Sequence, residues 1–505
     1  MAHYKKTEKG QGLFLTVNLS EQILPGTYEH TLNCLIDEKL DLSVFDGKYN
    51  NEETGAAAIK PEIMLKIILY CYSLGIISSR KIAKMCEENM VVKALAEDTE
   101  PHFTTISNFV SGMSGEIEKV FSEVLMVCSG MGLIKGKMFA IDGCRLPSNA
   151  SKEWSGTMKE LKEKYDKIKK ICGEIVEKHK KNDKTGKEEK DKDKEKLKKM
   201  EKKADRILEF IKTHEERKGA GGEIIKSNVT DNESGKIKGP HGVIQGYNGI
   251  AVVDGENQVI VAGNAYGSVA EGQFFPEMLE KAERSMRTVK GKKKPLEGTT
   301  MLADCAYFSE DNLQEAKKKG IEAIIPDEQS RNRDEKLKEG ERREGKERYD
   351  ARYFKYNKEG NYYVCPRGKK LTFRMKVKLN RNESNKYESR AADCFGCPHM
   401  NKCIHSKNNK KKFRTLLIPV LRYKENLCQK MRENIDKPRY RKIYSRRMQI
   451  VEPVFADITY CKGITRFTLR TQEKVNIQWL LYCVVHNLGK CKVKENMVKK
   501  KKKAA

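Results

Sequence analysis

The chain has 505 residues, with 100 Lys and Arg against 71 Asp and Glu, so its formal net charge is +29. This length exceeds one ordinary hydrophobic core, and we expect two or three domains. The longest nearly uncharged stretch, residues 67–77, is shorter than the roughly 20 residues of a membrane helix. The N-terminus lacks a signal-peptide pattern, and the 15 cysteines are mostly scattered singly, which favours a reducing compartment. We therefore expect a cytoplasmic protein that attracts polyanions, with nucleic acid ahead of an anionic membrane surface.

Residues 1–130 read as an all-α domain. Apolar residues dominate 61–75, and 78–89 and 102–113 have helical periodicity, the last with a Thr cap. The helix over 78–89 carries three basic side chains, Arg80, Lys81 and Lys84. The pattern fits two interpretations equally, a helix-turn-helix that contacts DNA and a helical bundle with solvated basic residues.

Residues 155–218 predict an inserted basic helical hairpin. Apolar residues recur there at spacings of three and four in two runs, and a polar, highly charged segment separates the runs. Its lysines are typical of a solvated face, and the alternative is an arm that contacts DNA.

Residues 131–154 and 219–326 contain alternating strands and helices. A short apolar strand ends at Asp142, a hairpin spans 243–264, and a second apolar strand ends at Asp304. Helices are expected over 272–286 and 309–320, and a last strand over 321–326. This order predicts an α/β mixed sheet interrupted by the helical hairpin.

Residues 327–440 are basic and broken in pattern, and we interpret them as a second insertion. They hold the only clustered cysteines, Cys365, Cys394, Cys397 and Cys403. Four thiols at these spacings indicate either a structural Zn²⁺ site or reduced cysteines that only pack. Residues 441–492 complete the core with helices over 445–458 and 471–491, and 493–505 read as a basic tail.

Three acids can meet at one sheet edge in this arrangement. If the strands that end in Asp142 and Asp304 are parallel neighbours, both side chains emerge at the same edge, where open α/β sheets place their active sites. A helix that crosses this edge would bring Glu452 alongside. Carboxylates that share a pocket stay ionised only with cations between them, and hard oxygen ligands select Mg²⁺ or Mn²⁺. Alternatively, each Asp caps the turn after its strand.

Several long stretches, in order, resemble bacterial insertion-sequence transposases of the DDE superfamily. They are PEIMLKIILYCYSLGIISSRKIAKMCEEN with HFTTISNF, FAIDGCRLPSNASKEWSGT, GYNGIAVVDGENQVIVAG, MLADCAYFSEDNL, and YSRRMQIVEPVFADITYCKGITRFTLR with WLLYCVVHNLGK. The resemblance implies a ribonuclease-H-like core with Asp142, Asp304 and Glu452 as the catalytic, metal-binding set. It also implies Mg-dependent cleavage at the ends of a mobile element and transfer of the 3′-hydroxyl into target DNA. We expect a homodimer on double-stranded DNA and, without a phosphate-binding loop, no use of ATP.

The chain departs from this family's pattern around Glu452. Some relatives carry a Tyr-Arg-Glu-Lys signature, and Tyr444 and Arg447 fit its first spacing. Four residues rather than three separate Arg447 from Glu452, and Thr459 stands where the signature has Lys, with Lys462 three residues later. We therefore carry Arg447 and Lys462 over only as candidate DNA contacts. The rival functions are a metal-dependent nuclease without strand transfer and a non-catalytic DNA-binding protein.

Overall fold

The structure is a computed structural model, and it describes residues 17–48, 57–181, 187–219, 222–239, 242–268, 270–333, 349, 351–379, 382–404, 413–420 and 426–504. These residues form a mixed α/β protein. An N-terminal helical region and a C-terminal pair of helices pack with a six-stranded mixed sheet, from which a helical hairpin and a second, five-stranded sheet branch off.

Six helices make up the N-terminal region. They are α1 (Tyr28–Glu38), α2 (Pro61–Ser73), α3 (Ser79–Glu88), α4 (Met90–Leu95), α5 (Phe103–Gly112) and α6 (Glu116–Gly130). Helix α2 is buried on nearly every side, as its continuous apolar run predicts. The predicted Thr cap of α5 was wrong, because the His102 side chain accepts the hydrogen bond from the Thr104 amide.

Strand order in the central sheet explains how the chain positions its acids. The first eight strands are β1 (Met138–Pro147), β2 (Ser155–Gly156), β3 (Ser227–Asn228), β4 (Gly235–Gly239), β5 (Gly242–Asp254), β6 (Ile260–Tyr266), β7 (Thr300–Ala303) and β8 (Glu322–Ile324). The path through the sheet is β4-β5-β1-β7-β8, and β6 also pairs with β5. Strands β1, β7 and β8 are parallel neighbours, whereas β5 runs antiparallel to β1, β4 and β6.

Helices cover both faces of this sheet. Helices α9 (Phe275–Lys290) and α10 (Glu310–Lys318) follow β6 and β7, and α13 (Leu427–Ile435), α14 (Pro438–Ala456) and α15 (Gln472–Ala504) close the core. A Cβ on Gly263 would touch Trp479 of α15, whereas the next residue, Asn264, reaches Glu277 of α9. Because successive strand residues point to opposite faces, α9 and α15 lie on opposite sides of the sheet.

Helix α15 joins the helical region to the sheet. It packs against α1, α2 and α6 as well as β6, and Cys491 meets Cys128 of α6 at 3.5 Å between sulfurs. One continuous hydrophobic core therefore runs from the N-terminal helices through α15 into the sheet. The helix also continues through residues 493–504, where the sequence predicts only a basic tail.

The inserted hairpin is confirmed as two long helices, α7 (Met158–Lys181) and α8 (Lys187–Thr213). Their facing apolar residues form a small core of their own around Leu161, Ile207 and Phe210. None of the helices in the described part of the chain is long and apolar enough to cross a membrane.

The second insertion contains a sheet that the sequence analysis missed. Its strands are β9 (Lys355–Asn357), β10 (Tyr362–Val364), β11 (Lys370–Leu379), β12 (Asn382–Ser389) and β13 (Thr415–Pro419), in antiparallel order β13-β12-β11-β10-β9. Two one-turn helices, α11 (Ala391–Cys394) and α12 (Met400–Cys403), lie between β12 and β13. Among the residues that the structure describes, the core of this sheet holds four buried apolar side chains, Phe354, Leu371, Tyr387 and Leu416.

Candidate active site

Two aspartates stand side by side at the edge of the central sheet. Strands β1 and β7 pair in parallel as far as Ile141 opposite Ala303, and Asp142 and Asp304 are the next residues of the two strands. The predicted end of the first strand at Asp142 was wrong, because β5 continues to pair with β1 as far as Pro147. Only the pairing with β7 stops there, and this places Asp142 at the carboxyl edge of the parallel strands, as the sequence predicts.

Asp142 is held by one buried arginine. Its Oδ2 atom accepts a hydrogen bond of 2.7 Å from Arg447 of α14, and both side chains are largely shielded from solvent. Burial raises the pKa of Asp142, Arg447 and the Gly143 amide oppose this, and the charge of Asp304 raises the pKa further. The guanidinium therefore does not compensate fully for the buried charge.

Asp304 begins the turn that follows β7. Its Oδ1 atom accepts a hydrogen bond of 2.8 Å from the Ala306 amide, so it caps the one-turn helix Cys305–Tyr307. Asp304 therefore caps the turn after its strand, as the alternative interpretation predicts. It also lies beside Asp142. Beside it opens a cavity of about 300 Å³, lined by Cys305, Phe308, Asp327, Glu328, Gln329, Ala351 and Arg432.

A third acid, Glu271, lies close to both aspartates, and the sequence analysis did not single it out. It is only 5% exposed, at the start of the short helix before α9. Burial raises the pKa of Glu271, and the charges of Asp142 and Asp304 raise it further. Arg145, three residues after Asp142 on β1, contacts Glu271 at 3.3 Å. The sequence gives no local signal for Glu271, because contacts with segments distant in the sequence bury it.

Glu452 faces away from this edge. The inward-facing stripe of α14 consists of Arg447, Ile450, Val451 and Val454. Glu452 follows Arg447 by five residues, which places it roughly 140° around the helix axis from Arg447, and its side chain is exposed. The structure thus brings Asp142 and Asp304 together and leaves Glu452 outside the pair.

Helix α14 is locally weakened next to Glu452. Pro453 has no amide hydrogen to donate to the Gln449 carbonyl, and that carbonyl instead accepts a hydrogen bond of 2.8 Å from the Gln258 side chain. One turn later the helix widens into the π-helical segment Asp457–Cys461. Such π-helical turns are frequent at functional sites.

The donor chemistry of the edge suits a hard divalent cation. Carboxylate oxygens are preferred ligands of Mg²⁺ and Mn²⁺, and the raised pKa values of Asp142 and Glu271 reflect negative charge that a cation would offset. In the part of the chain that the structure describes, no group of three or more His, Cys, Asp or Glu side chains is arranged to hold an ion as it stands. Arg447 and Arg145 supply the positive charge here.

The predicted DNA contacts fall into two groups. Arg80, Lys81 and Lys84 are exposed on α3, with Arg80 stacked over the Phe103 ring of α5 at 4.8 Å. Arg447 and Lys462 are instead each 11% exposed and paired with aspartates, Arg447 with Asp142 and Lys462 with Asp457. The first group is exposed to solvent, with Lys84 in an exposed pair with Glu88 at 3.4 Å, whereas the second is largely buried with its anionic partners.

The four clustered cysteines are free thiols brought into one neighbourhood. Burial raises the pKa of Cys403 to about 11, and the charges of Cys394, Cys365 and Cys397 contribute to that rise against Arg414. Amides around Cys365 turn inward, since Gly368 donates to its carbonyl at 2.8 Å and Lys369 to its sulfur at 3.3 Å. His405, which follows the cluster in the sequence and offers a further possible ligand nitrogen, lies outside the described residues.

Two family models match the chain. A model described as "Transposase domain (DUF772)" matches residues 17–112, which include helices α1 to α5. A model described as "Transposase DDE domain" matches residues 364–492, which run from β10 into α15 and include Arg447 and Glu452. No curated protein and no solved structure gives a significant match.

Proposed function

We propose that this chain, whose residues 17–112 and 364–492 match transposase models, is an insertion-sequence transposase of the DDE type that cuts DNA at the ends of a mobile element and joins the freed 3′-hydroxyl to target DNA. The observation that carries this proposal is the adjacency of Asp142 and Asp304 at the carboxyl edge of two parallel strands. The order of the central sheet, three antiparallel strands followed by two parallel ones, supports a ribonuclease-H-like core.

Asp142 and Asp304 would hold Mg²⁺ or Mn²⁺ at this edge. When bound, such an ion activates a water or a hydroxyl and stabilises the leaving oxygen on phosphorus. The residues of the chain contribute position and charge. Asp304 is oriented by the Ala306 amide, and Asp142 by the Gly143 amide and Arg447. Arg447 lies within reach of an anionic phosphate that approaches Asp142, so it would exchange one anionic partner for another.

We propose Glu452 as the further acid that the family resemblance assigns. In this structure it must turn inward to meet Asp142, and the interruption of α14 at Pro453 is the point where such a turn requires the fewest broken hydrogen bonds. The expected consequence is that Glu452→Gln lowers cleavage while leaving the affinity for DNA unchanged.

A cleavage assay with Asp304→Asn tests the proposed function. The substrate is a duplex that carries the element end. The matched control is Asp46→Asn, since Asp46 is exposed and distant from Asp304 in the sequence. We expect Asp304→Asn to abolish cleavage and retain DNA binding. Unchanged cleavage would remove Asp304 from the site and end the proposal.

Strand transfer from pre-cut ends separates a transposase from its rivals. Joined products indicate a transposase, whereas hydrolysis without joining indicates a metal-dependent nuclease. A chain that binds the ends and yields neither product is a non-catalytic DNA-binding protein. The same mixture, analysed by light scattering, tests the homodimer that two paired ends would require.

The exposed basic residues of α3 are proposed to contact the phosphate backbone. Replacement of Arg80, Lys81 and Lys84 by Gln should weaken binding for all sequences alike and lower the slope of log affinity against log salt by roughly 0.9 per lost contact. An unchanged slope would indicate that these side chains are only solvated.

The cysteine cluster is proposed to bind a structural Zn²⁺. The Lys369 amide donates to the Cys365 sulfur at 3.3 Å, the other three thiols lie near Cys403, and the small core of this sheet offers little other stabilisation. Zinc content of the purified chain, with Cys397→Ser compared against Cys461→Ser, tests this. Cys461 is exposed and outside the cluster, so only the first replacement should lower the zinc content.

A further inference from the structure

One face of the five-stranded sheet carries a cluster of aromatic side chains. The register pairs Tyr356 of β9 with Tyr363 of β10, and their ring centroids are 4.8 Å apart. It also pairs Phe373 of β11 with Tyr387 of β12, and the rings of Tyr363 and Phe373 lie 4.9 Å and 5.6 Å from that of Tyr387. Because directly paired residues of antiparallel strands point to the same face, four neighbouring strands contribute one ring each to a continuous aromatic cluster.

This cluster is buried at its centre and open at two of its rings. Tyr387 is 3% exposed and belongs to the core of the sheet, whereas Tyr356 is 49% and Phe373 is 37% exposed. The hydroxyls of Tyr356 and Tyr387 both donate to Oδ1 of Asn361, at 3.1 Å and 2.8 Å. The two open rings pack against a fixed ring, so they are ordered before any partner binds, which lowers the entropic cost of binding.

The strands that carry the aromatic cluster are strongly basic. Residues 355–389 hold ten Lys and Arg against three Asp and Glu. Lys376 is exposed and pairs with Asn385, which lies two residues from Tyr387 and therefore on the same face. Two copies of such a surface repel each other, whereas a polyanion is attracted to it. The charge thus favours nucleic acid over a second copy of the chain as the partner of this face.

The aromatic cluster is also close to the candidate active site along the chain. Ala351, which precedes β9, lines the cavity beside Asp304. Tyr356 follows Ala351 by five residues, and a fully extended chain of that length spans at most about 18 Å. A DNA strand that is held at Asp304 can therefore reach the cluster.

We propose that this aromatic, basic face binds single-stranded DNA, an inference that rests on the function proposed above. Unpaired bases stack on aromatic side chains while basic groups follow the backbone, whereas the bases of a duplex already stack on one another. Tyr356 and Phe373 would each stack on one base, and Lys376 would contact the phosphates. No strong sequence preference is expected, because every base has a flat ring face.

The affinity of the full chain for a fluorescent oligo-dT strand, measured by anisotropy without divalent cations, tests the inference. We expect Tyr356→Ala and Phe373→Ala each to lower this affinity by roughly fivefold or more, the effect of losing one stacked base. A duplex of the same length should bind all variants alike. Phe373→Tyr keeps the ring and should bind oligo-dT like the parent.

The matched control is Leu417→Ala. Leu417 is 45% exposed on the same sheet, and it points to the opposite face because its neighbour Leu416 pairs with Tyr387. Its replacement should leave the affinity for oligo-dT unchanged. Unchanged affinity in Tyr356→Ala and Phe373→Ala would overturn the inference. Equal losses for the single strand and the duplex would overturn it as well, because the rings would then act only through the fold.

Light scattering tests the other occupant of this face. A change from dimer to monomer in Phe373→Ala, with unchanged affinity for oligo-dT, would assign the face to contact between copies and overturn the inference.

Binding of oligo-dT requires neither a metal ion nor the sequence of the element end, so its outcome is independent of the cleavage assay. If the parent cleaves element ends and the aromatic variants bind oligo-dT like the parent, the inference fails and the proposed function stands. If Asp304→Asn cleaves like the parent while both Ala variants lose the single strand, the proposed function fails and the face remains a site for single-stranded DNA.

Discussion

Two aspartates near helix α14 show opposite electrostatic behaviour. Asp142 has a raised pKa, because burial and the charge of Asp304 outweigh its single guanidinium partner. Asp457, in the π-helical segment, is partly buried, and this burial raises its pKa. The hydrogen bonds from His486, at 2.6 Å, and Lys462 outweigh this and hold the pKa of Asp457 at about 2.

The balance of charge around each aspartate gives a criterion that distinguishes a structural acid from a functional one. Asp457 has two hydrogen-bond donors, His486 and the cationic Lys462, that favour its ionised form, so it links the π-helical segment to α15. Asp142 faces further acids and remains undercompensated, which is the usual condition of a group arranged for chemistry. Both lie against cationic side chains, and only the balance of charge around each separates the two roles.

The largest expected effect is on cleavage. Asp142→Asn should lower the rate of end cleavage by on the order of 10³-fold, since it removes an ionic group that acts in the transition state. Asp457→Asn should leave the rate within severalfold under conditions where the chain is folded. Single-turnover cleavage of a labelled element end measures both. Equal losses in the two variants would erase the distinction drawn between the acids.

The free energy of unfolding should rank the two variants in the opposite order. Asp457→Asn should lower the free energy of unfolding at pH 7 by about 2 kcal/mol, the equivalent of a pKa held at about 2 against an ordinary value of 3.8. Asp142→Asn should lower it by less, because burial and the charge of Asp304 already disfavour the ionised Asp142, so that the loss of the partner of Arg447 is the main cost. Urea denaturation followed by circular dichroism gives both values. A loss of stability in Asp142→Asn that exceeds the loss in Asp457→Asn would contradict the comparison.

Tyr307→Phe tests whether a buried hydroxyl contributes to cleavage or only to packing. The hydroxyl has no partner to lose within the described residues, so its removal should leave the free energy of unfolding unchanged or raise it by up to about 1 kcal/mol. Cleavage should fall roughly tenfold, because a buried hydroxyl without a partner, on which the charges of Glu271, Asp142 and Asp304 act, is free to donate to a polar group that enters the site. A variant that is less stable yet fully active would show that the hydroxyl serves only packing.

The smallest expected effect is in the pH dependence of unfolding. The depressed pKa of Asp457 contributes stability above pH 4, the range of its unfolded pKa, and this contribution is lost as pH falls toward 2. The raised pKa values of Asp142 and Glu271 act in the opposite sense, because they stabilise the fold at low pH and lose that effect as pH rises through them. Unfolding curves of the parent and Asp457→Asn at several pH values should converge near pH 2. Parallel curves over this range would contradict the assignment.

The sequence predicts the parts of the site that follow from local patterns. The apolar runs that lead into Asp142 and Asp304 indicate two buried strands, of which only the second ends at its Asp, and the alternation of strands and helices places the two acids together. Glu271 could not be found in this way, because only the packing of its short helix against β1 and the turn after Asp304 buries it. Arg447 was predicted as a contact to DNA, whereas the fold gives it Asp142 as its partner.

The five-stranded sheet escaped prediction for a related reason. Along β11, lysine or arginine alternates with apolar residues over much of the strand, and the high charge gives the appearance of a basic, broken insertion. Pairing with β10 and β12 in local hairpins satisfies the backbone with little buried apolar area. The alternation along β11 is a strand pattern that the high charge of the segment concealed.

The dependence of the N-terminal helices on α15 has a consequence for synthesis. Cys128 and its partner Cys491 are separated by 363 residues, which a ribosome adds in roughly 20 to 70 s at about 5–20 residues per second. During that interval the apolar faces of α1, α2 and α6 lack the helix that covers them. The nascent chain would be exposed to chaperones and proteases, and the helical region matures only after translation has passed α15.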